Sequence, residues 1–276
     1  MLSSLKSLFN LKNKQDYLGK YKKPEILSKL EFYQENGKAN WENLEFYIKY
    51  DYLYGITPID IIPFAYTGNN GIHFGFLTDF GLITDLNDVP IVCLATSYDP
   101  PINIVAKNLK QFLSFLSYAE QSSLLADIYD NQIDFDNRKK EFLECQMEKE
   151  YVSKRMETIE TLKHDFEIEL ESDIISKIKK YRTKRDSLIN TKTVDGIGLI
   201  FKNNSEIIEF DYNKSIIKIR TFLENSNINS RFKFYRQSTF MYFINDLDDW
   251  EIKRLMIEHM RKDGLISESK IINKFY

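Results

Sequence analysis

All six prolines, Pro24, Pro58, Pro63, Pro90, Pro100 and Pro101, lie in the first 101 residues of a 276-residue chain, and no glycine occurs between Gly81 and Gly196. These residues punctuate a chain into turns, so the first part should be strand-rich with tight connections and the middle long and helical. A chain of this length makes two ordinary domains or one large one, and it buries roughly three-quarters of its unfolded surface, enough to fold without a metal or disulfide. Its 43% hydrophobic and 29% charged residues exclude a disordered protein. Cys93 and Cys145 are far apart and show no zinc spacing. A reducing, cytoplasmic setting with no cofactor is the simplest expectation. No uncharged apolar run reaches the roughly 20 residues that cross a bilayer, and the start lacks a continuous apolar core, so neither membrane insertion nor export is expected. Leu2, Leu5 and Phe9 share one helical face and suit a short docking helix.

Charge is laid unevenly along the chain. From Tyr50 to Ala106 there is no Lys or Arg, while Asp51, Asp60, Asp79, Asp85, Asp88 and Asp99 all fall there. Residues 177–276 carry 20 bases against 13 acids, and residues 1–38 carry 8 against 4. A one-signed region speeds encounter with an oppositely charged partner, and a basic protein is the natural candidate. The competing reading is local, because Asp caps helices and forms turns by bonding nearby backbone amides.

Residues 24–37 predict a helix, with Pro24 in the first turn, Ile26, Leu27, Leu30 and Tyr33 at helical spacing and Gly37 as the stop. Trp41–Gly55 is ambiguous and leans to a second helix. Pro63–Leu77 predicts a hairpin about Gly68-Asn69-Asn70-Gly71, with Ile72, Phe74 and Phe76 on a core face. Val89–Ala95 predicts a buried strand, and Ile102–Leu116 an amphipathic helix. Arg138–Asp186 alternates acids and bases and predicts a long exposed helix or helical hairpin. Thr193–Phe201, Glu206–Asp211 and Ser215–Phe222 predict three short strands. Helix returns past Asn229, with a capping box at Asp248 and Glu251 and a stop at Gly264. The resulting fold class is α+β: a first domain over 1–125 with a central antiparallel or mixed sheet and flanking helices, then a mostly helical part over 126–276 with a small three-stranded sheet.

Candidate chemistry is sparse. The three histidines, His73, His164 and His259, are each isolated; Cys93 could pair with His73, since both lie on strands of one sheet, but a thiol inside an apolar run stays protonated. The sequence "GNNG" lacks the Lys-Ser/Thr of a phosphate loop. "NDLDDWE" at Asn245–Glu251 has the acids of a calcium loop without its glycine. Asp165, Glu167, Glu169, Glu171 and Asp173 alternate, so on a helix they would not converge on a metal. Arg231, Lys233 and Arg236 are interleaved with Phe232, Phe234 and Tyr235, as in some nucleic-acid surfaces, but a pI of 5.8 and the absence of a reading motif count against nucleic acid.

The order of a helix, "IIPFAYTGNNG", "FGFL", "VPIVCLA" and "IVAKNLKQFLSFL" resembles the SUKH superfamily, which includes yeast cell-wall regulators of the Smi/Knr type and many bacterial immunity proteins. The matching positions are Pro63, Phe64, Ala65, Gly68, Gly71, Phe74–Phe76, Pro90–Val92, Ala106, Leu109, Phe112 and Leu113, with Trp41 standing for the family's early tryptophan. The resemblance covers residues 24–118. It implies an α+β domain that acts by binding and not by catalysis, neutralising a toxin of a polymorphic secretion system by covering its active site. Such toxins are often nucleases, and basic, so the base-free stretch is expected to present Tyr66, Asp79, Asp85, Asp88, Tyr98 and Asp99 to one. The competing expectation is an intracellular scaffold or regulator whose helical second half binds the partner. Neither reading fixes the oligomeric state.

Overall fold

The computed structural model describes residues 18–50, 53–69, 71–145, 148–212, 214–241, 243–244 and 249–275. The expected docking face of Leu2, Leu5 and Phe9 lies outside them, as do Asp51, Asn70, and Asp248 of the expected capping box. Helix α1 (Glu25–Glu35) follows Pro24 and buries Leu27 and Leu30. The Trp41 indole, 1% exposed, donates to the Leu30 carbonyl at 2.9 Å. The second helix expected after Trp41 does not form. A single 3₁₀ turn, Trp41–Leu44, ends where Glu45 takes a left-handed φ of 52°, and the chain then enters strand β1 (Tyr47–Ile48).

Strands β2 (Ile61–Tyr66), β3 (His73–Leu77), β4 (Ile91–Leu94) and β5 (Ile102–Ala106) complete an antiparallel meander in the order β1-β2-β3-β4-β5. Ile72, Phe74 and Phe76 join Phe64, Ile91 and Cys93 in one core, as the alternation predicts. The opposite face is buried too. Ile61, Leu77, Val92, Leu94, Ile102 and Ile104 pack against Ile197, Tyr181 and Phe240 from the second half of the chain. A sheet covered on both faces has no polar side, and β3 is accordingly buried at every position.

Ile102–Leu116 is not one helix. β-Branched Ile102, Ile104 and Val105 extend into β5; then Asn108 accepts from the Gln111 N–H at 3.0 Å and starts helix α2 (Leu109–Ala119). Phe112 of α2 packs on Phe46, Phe64 and Phe74. Arg138–Asp186 is likewise divided, among α3 (Gln132–Glu144), α4 (Lys149–Asp165) and α5 (Ile174–Asp186). Helix α5 lies along β5, where the Arg182 guanidinium donates twice to the Ile104 carbonyl, at 2.8 and 3.0 Å. One apolar cluster runs from Leu18 through the sheet to Phe135, Leu162 and Ile174, across the expected boundary at 125/126.

The small three-stranded sheet is absent among the described residues; only an isolated bridge, Thr191 to Leu199, remains. Gly196 and Gly198 take positive φ, and side chains of the same loop claim its amides: Thr193 Oγ1 accepts from Gly198 N and Asp195 Oδ1 from Ile197 N, both at 2.9 Å. Around residues 206–208 the backbone bonds the start of the helix that opens at Ile228, with Ser230 Oγ accepting from Ile208 N and Asn227 Nδ2 donating to the Glu206 carbonyl. The third expected strand is helix α6 (Ile216–Asn225). Helices α7 (Ile228–Phe240), α8 (Trp250–Lys262) and α9 (Ile266–Phe275) follow and share a core with Ile59 and Phe80. Asp249 sits at the start of α8 without a capping bond and pairs with Lys214 at 2.9 Å.

Candidate functional site

The meander has two ends. The six residues of β2 span about 17 Å at the rise of an extended strand. Tyr66, Gly68, Gly71, Tyr98 and Asp99 lie at the end where β2 turns into β3 and β4 into β5; Asp79, Asp85 and Asp88 lie at the other, between β3 and β4. The expected six-residue surface is therefore not one surface.

At the first end the turn needs its glycines. Gly68 and Gly71 have φ of 85° and 71°, and a Cβ on Gly71 would meet the Tyr54 ring at 2.5 Å. Tyr66 is half-buried, its ring 5.1 Å from that of Tyr47. Tyr98 is half-buried; burial, aided by Asp127 beside it and opposed by Arg138, pushes its hydroxyl up to about 12, and Asp99 is exposed. Asp127 is a neighbour that charge counting over residues 50–106 could not supply.

His73 and Cys93 do not meet. His73 pairs with Leu94 and Cys93 with Phe74, so the two side chains point to opposite faces of the sheet. His73 Nδ1 donates to the Gly71 carbonyl at 3.0 Å, which leaves Nε2 to accept from the Thr57 hydroxyl at 3.1 Å. Burial lowers its pKa to about 4 and raises that of the Cys93 thiol, so the histidine is neutral and the cysteine protonated. Pro63, Phe64, Ala65, Pro90, Ala106, Phe112 and Leu113 are all buried and build the core.

The second end corrects the charge reading. Asp85 is a turn former: it accepts from the backbone and side chain of Asn87 and pairs with Lys22 at 2.8 Å. Asp88 is exposed, but Asp79 is 7% exposed, with both oxygens on the Arg185 guanidinium at 2.8 and 2.7 Å. Asp60 is fully buried, Oδ2 3.0 Å from Arg236 Nη1. Arg236 Nε reaches Asp195 at 2.7 Å, and its Nη1 lies 3.8 Å from Asp79. Five charged groups from the sheet, α5, the following loop and α7 thus form one buried cluster. An adjoining chain of bonds runs from the Asp60 carbonyl through the Thr78 and Tyr21 hydroxyls to Glu268 of α9. A lone acid in the apolar run "ITPIDIIPF" was the signal available in the sequence; its partner, 176 residues on, was not.

The basic aromatic strip is also spent internally: Arg231 pairs with Asp263, Lys233 with Glu209, and Arg236 with the cluster. Among the described residues no group of three or more His, Cys, Asp or Glu could hold a metal ion, and no helix is long and apolar enough to cross a membrane. In comparisons with known proteins, no family model and no curated protein matches the chain.

Proposed function

We propose that this chain is a non-catalytic binding protein that works in the manner of SUKH immunity proteins, neutralising a basic, nuclease-like toxin in the cytoplasm, and that it does so with the end of the sheet bearing Tyr66, Tyr98 and Asp99. The observation that carries this reading is the grouping, at one end of the meander, of two partly exposed tyrosines and an exposed carboxylate drawn from a stretch of chain without a single Lys or Arg. Aromatic anchors with complementary charge are what a tight protein interface uses. The helix-strand-strand-strand order, with Trp41 and Phe112 in the core beneath it, supports the family resemblance. Asp79 takes no part in this surface, being held by Arg185.

The test is co-purification with the product of a neighbouring toxin gene, followed by a triple variant, Tyr66→Ala, Tyr98→Ala and Asp99→Lys. Protection is expected to be lost while the fold is kept. Protection that survives all three changes rejects the surface.

The scaffold reading has one observation of its own. Trp250 is 60% exposed and Ile217 73% exposed, at the starts of α8 and α6, which the Lys214–Asp249 pair brings together. Deleting residues 130–276 cannot separate the two readings, because that deletion removes Phe135, Leu162 and Ile174 from the first core. The Trp250→Ala variant separates them: loss of partner binding there, with the triple variant unaffected, favours the scaffold.

A further inference from the structure

The buried cluster contains three carboxylates, Asp60, Asp79 and Asp195, and two guanidinium groups, Arg185 and Arg236. Fully ionised, it would carry one uncompensated negative charge in a buried site, a costly arrangement that a protein avoids by neutralising a group. The geometry says which one. Asp195 receives Arg236 Nε at 2.7 Å, the Thr193 hydroxyl at 2.5 Å and the Ile197 N–H at 2.9 Å. Asp79 receives two guanidinium N–H groups from Arg185. Asp60 receives one side-chain donor, Arg236 Nη1 at 3.0 Å, and it is the only one of the three carboxylates with an oxygen, Oδ1, that lacks a hydrogen-bond partner among the described residues; Arg185 Nε and Arg236 Nη2 lack one as well.

We propose that Asp60 is a proton-binding site: in the folded protein it holds a proton that balances the cluster, and it gives that proton up only at the cost of loosening the seam between the sheet and helices α5 and α7. The groups that face it are Arg236 from α7, Asp79 and Arg185 where β3 meets α5, Asp195 from the loop after α5, and Tyr21, whose hydroxyl bonds Thr78 and Glu268. Burial, opposed by Arg236 and by Asp60's own backbone amide and aided by repulsion from Asp79 and Asp195, pushes the Asp60 carboxyl up to about 7. The same surroundings hold Asp195 below the usual carboxylate range: burial opposes its ionisation, and Arg236, Thr193 and the Ile197 amide outweigh it. Because the folded value lies above the unfolded one, the native state binds the extra proton between about pH 4 and 7, and this contribution to stability falls as the pH rises through that window.

The test compares urea unfolding of the wild type with Asp60→Asn, an isosteric mimic of the protonated acid, at pH 5.5 and pH 8. Other titrating groups are common to both chains, so the difference reports Asp60. The two are expected to be similar at pH 5.5, and at pH 8 the variant is expected to be more stable, with an unfolding constant at least tenfold smaller. Asp195→Asn is expected to be less stable than the wild type at both values. An Asp60→Asn protein less stable than the wild type at pH 8, or a gap that does not change with pH, overturns the proposal. Should that variant not fold, carboxyl-carbon NMR of the wild type decides: one aspartate titrating near neutrality supports the site, and all of them titrating in the ordinary acidic range overturns it.

Discussion

The two ends of the sheet draw on the same base-free stretch and put the same residue type to opposite uses. At the Tyr66 end Asp99 faces outward, while at the other end Asp60 and Asp79 are sealed under arginines that arrive from positions 236 and 185. The difference teaches that a run of acids is not yet an acidic surface. What decides is whether later chain delivers cations to cover it, as Arg185 and Arg236 do over Asp79 and Asp60. The ends also titrate in opposite senses. Neutral His73 loses stability on acidification, because the unfolded chain takes up a proton that the buried ring refuses, whereas Asp60 gains it over an overlapping range.

The largest expected effect breaks the sealed end. Arg236→Met leaves Asp60 and Asp195 without their shared cation and should cost about 3–5 kcal/mol, as removal of one partner from a buried ion pair does. Urea titration read through Trp41 in a Trp250→Phe background measures it. A loss below about 1 kcal/mol would mean that the cluster does not hold the seam.

At the open end, His73 sharpens the contrast. Its value of about 4 against an ordinary 6.5 means that stability is full above pH 6.5 and lost progressively toward pH 4, by about 3 kcal/mol. His73→Gln should flatten that slope in the Asp60→Asn background, where the opposing titration is absent; an unchanged slope would place the acid sensitivity elsewhere. Next in size are Tyr66→Ala and Tyr98→Ala. Each should weaken a partner held at this end by about 1–2 kcal/mol in calorimetric titration. Tyr98 also touches the core, so thermal melting must accompany the measurement.

The smallest effect belongs to Asp85→Asn. Lys22 is exposed and Asp85 half-buried at the surface, and Asn keeps an oxygen to accept from Asn87, so the urea midpoint and partner binding should stay where they are. A loss of partner affinity there would extend the binding surface to the end of the sheet that the present reading excludes.

Local order was legible in the sequence wherever the chain's own neighbours set it. The α1 boundaries follow from Pro24 and Gly37, and the β2–β3 hairpin from paired glycines between apolar runs. Ile102–Leu116 misled because β-branched residues and helix-spaced leucines adjoin, and only the Asn108 cap marks the change. Residues 193–222 misled differently. Their alternation suits strands, but two glycines of positive φ and side-chain acceptors within the loop leave no ladder to join. Asp60 was visible as an oddity, a charge among isoleucines. Its meaning depended on a contact across 176 positions, which periodicity cannot encode.

The clamp of Arg182 on the Ile104 carbonyl has a consequence for assembly. A sheet grows by offering a row of unused carbonyls and amides to a foreign strand. Here the last strand has one of its acceptors occupied by a guanidinium and a helix laid alongside, and the first strand, Tyr47–Ile48, is two residues long. Both margins are therefore poor templates for a further strand, which disfavours fibre-like stacking of copies and favours visitors that engage loops and side chains.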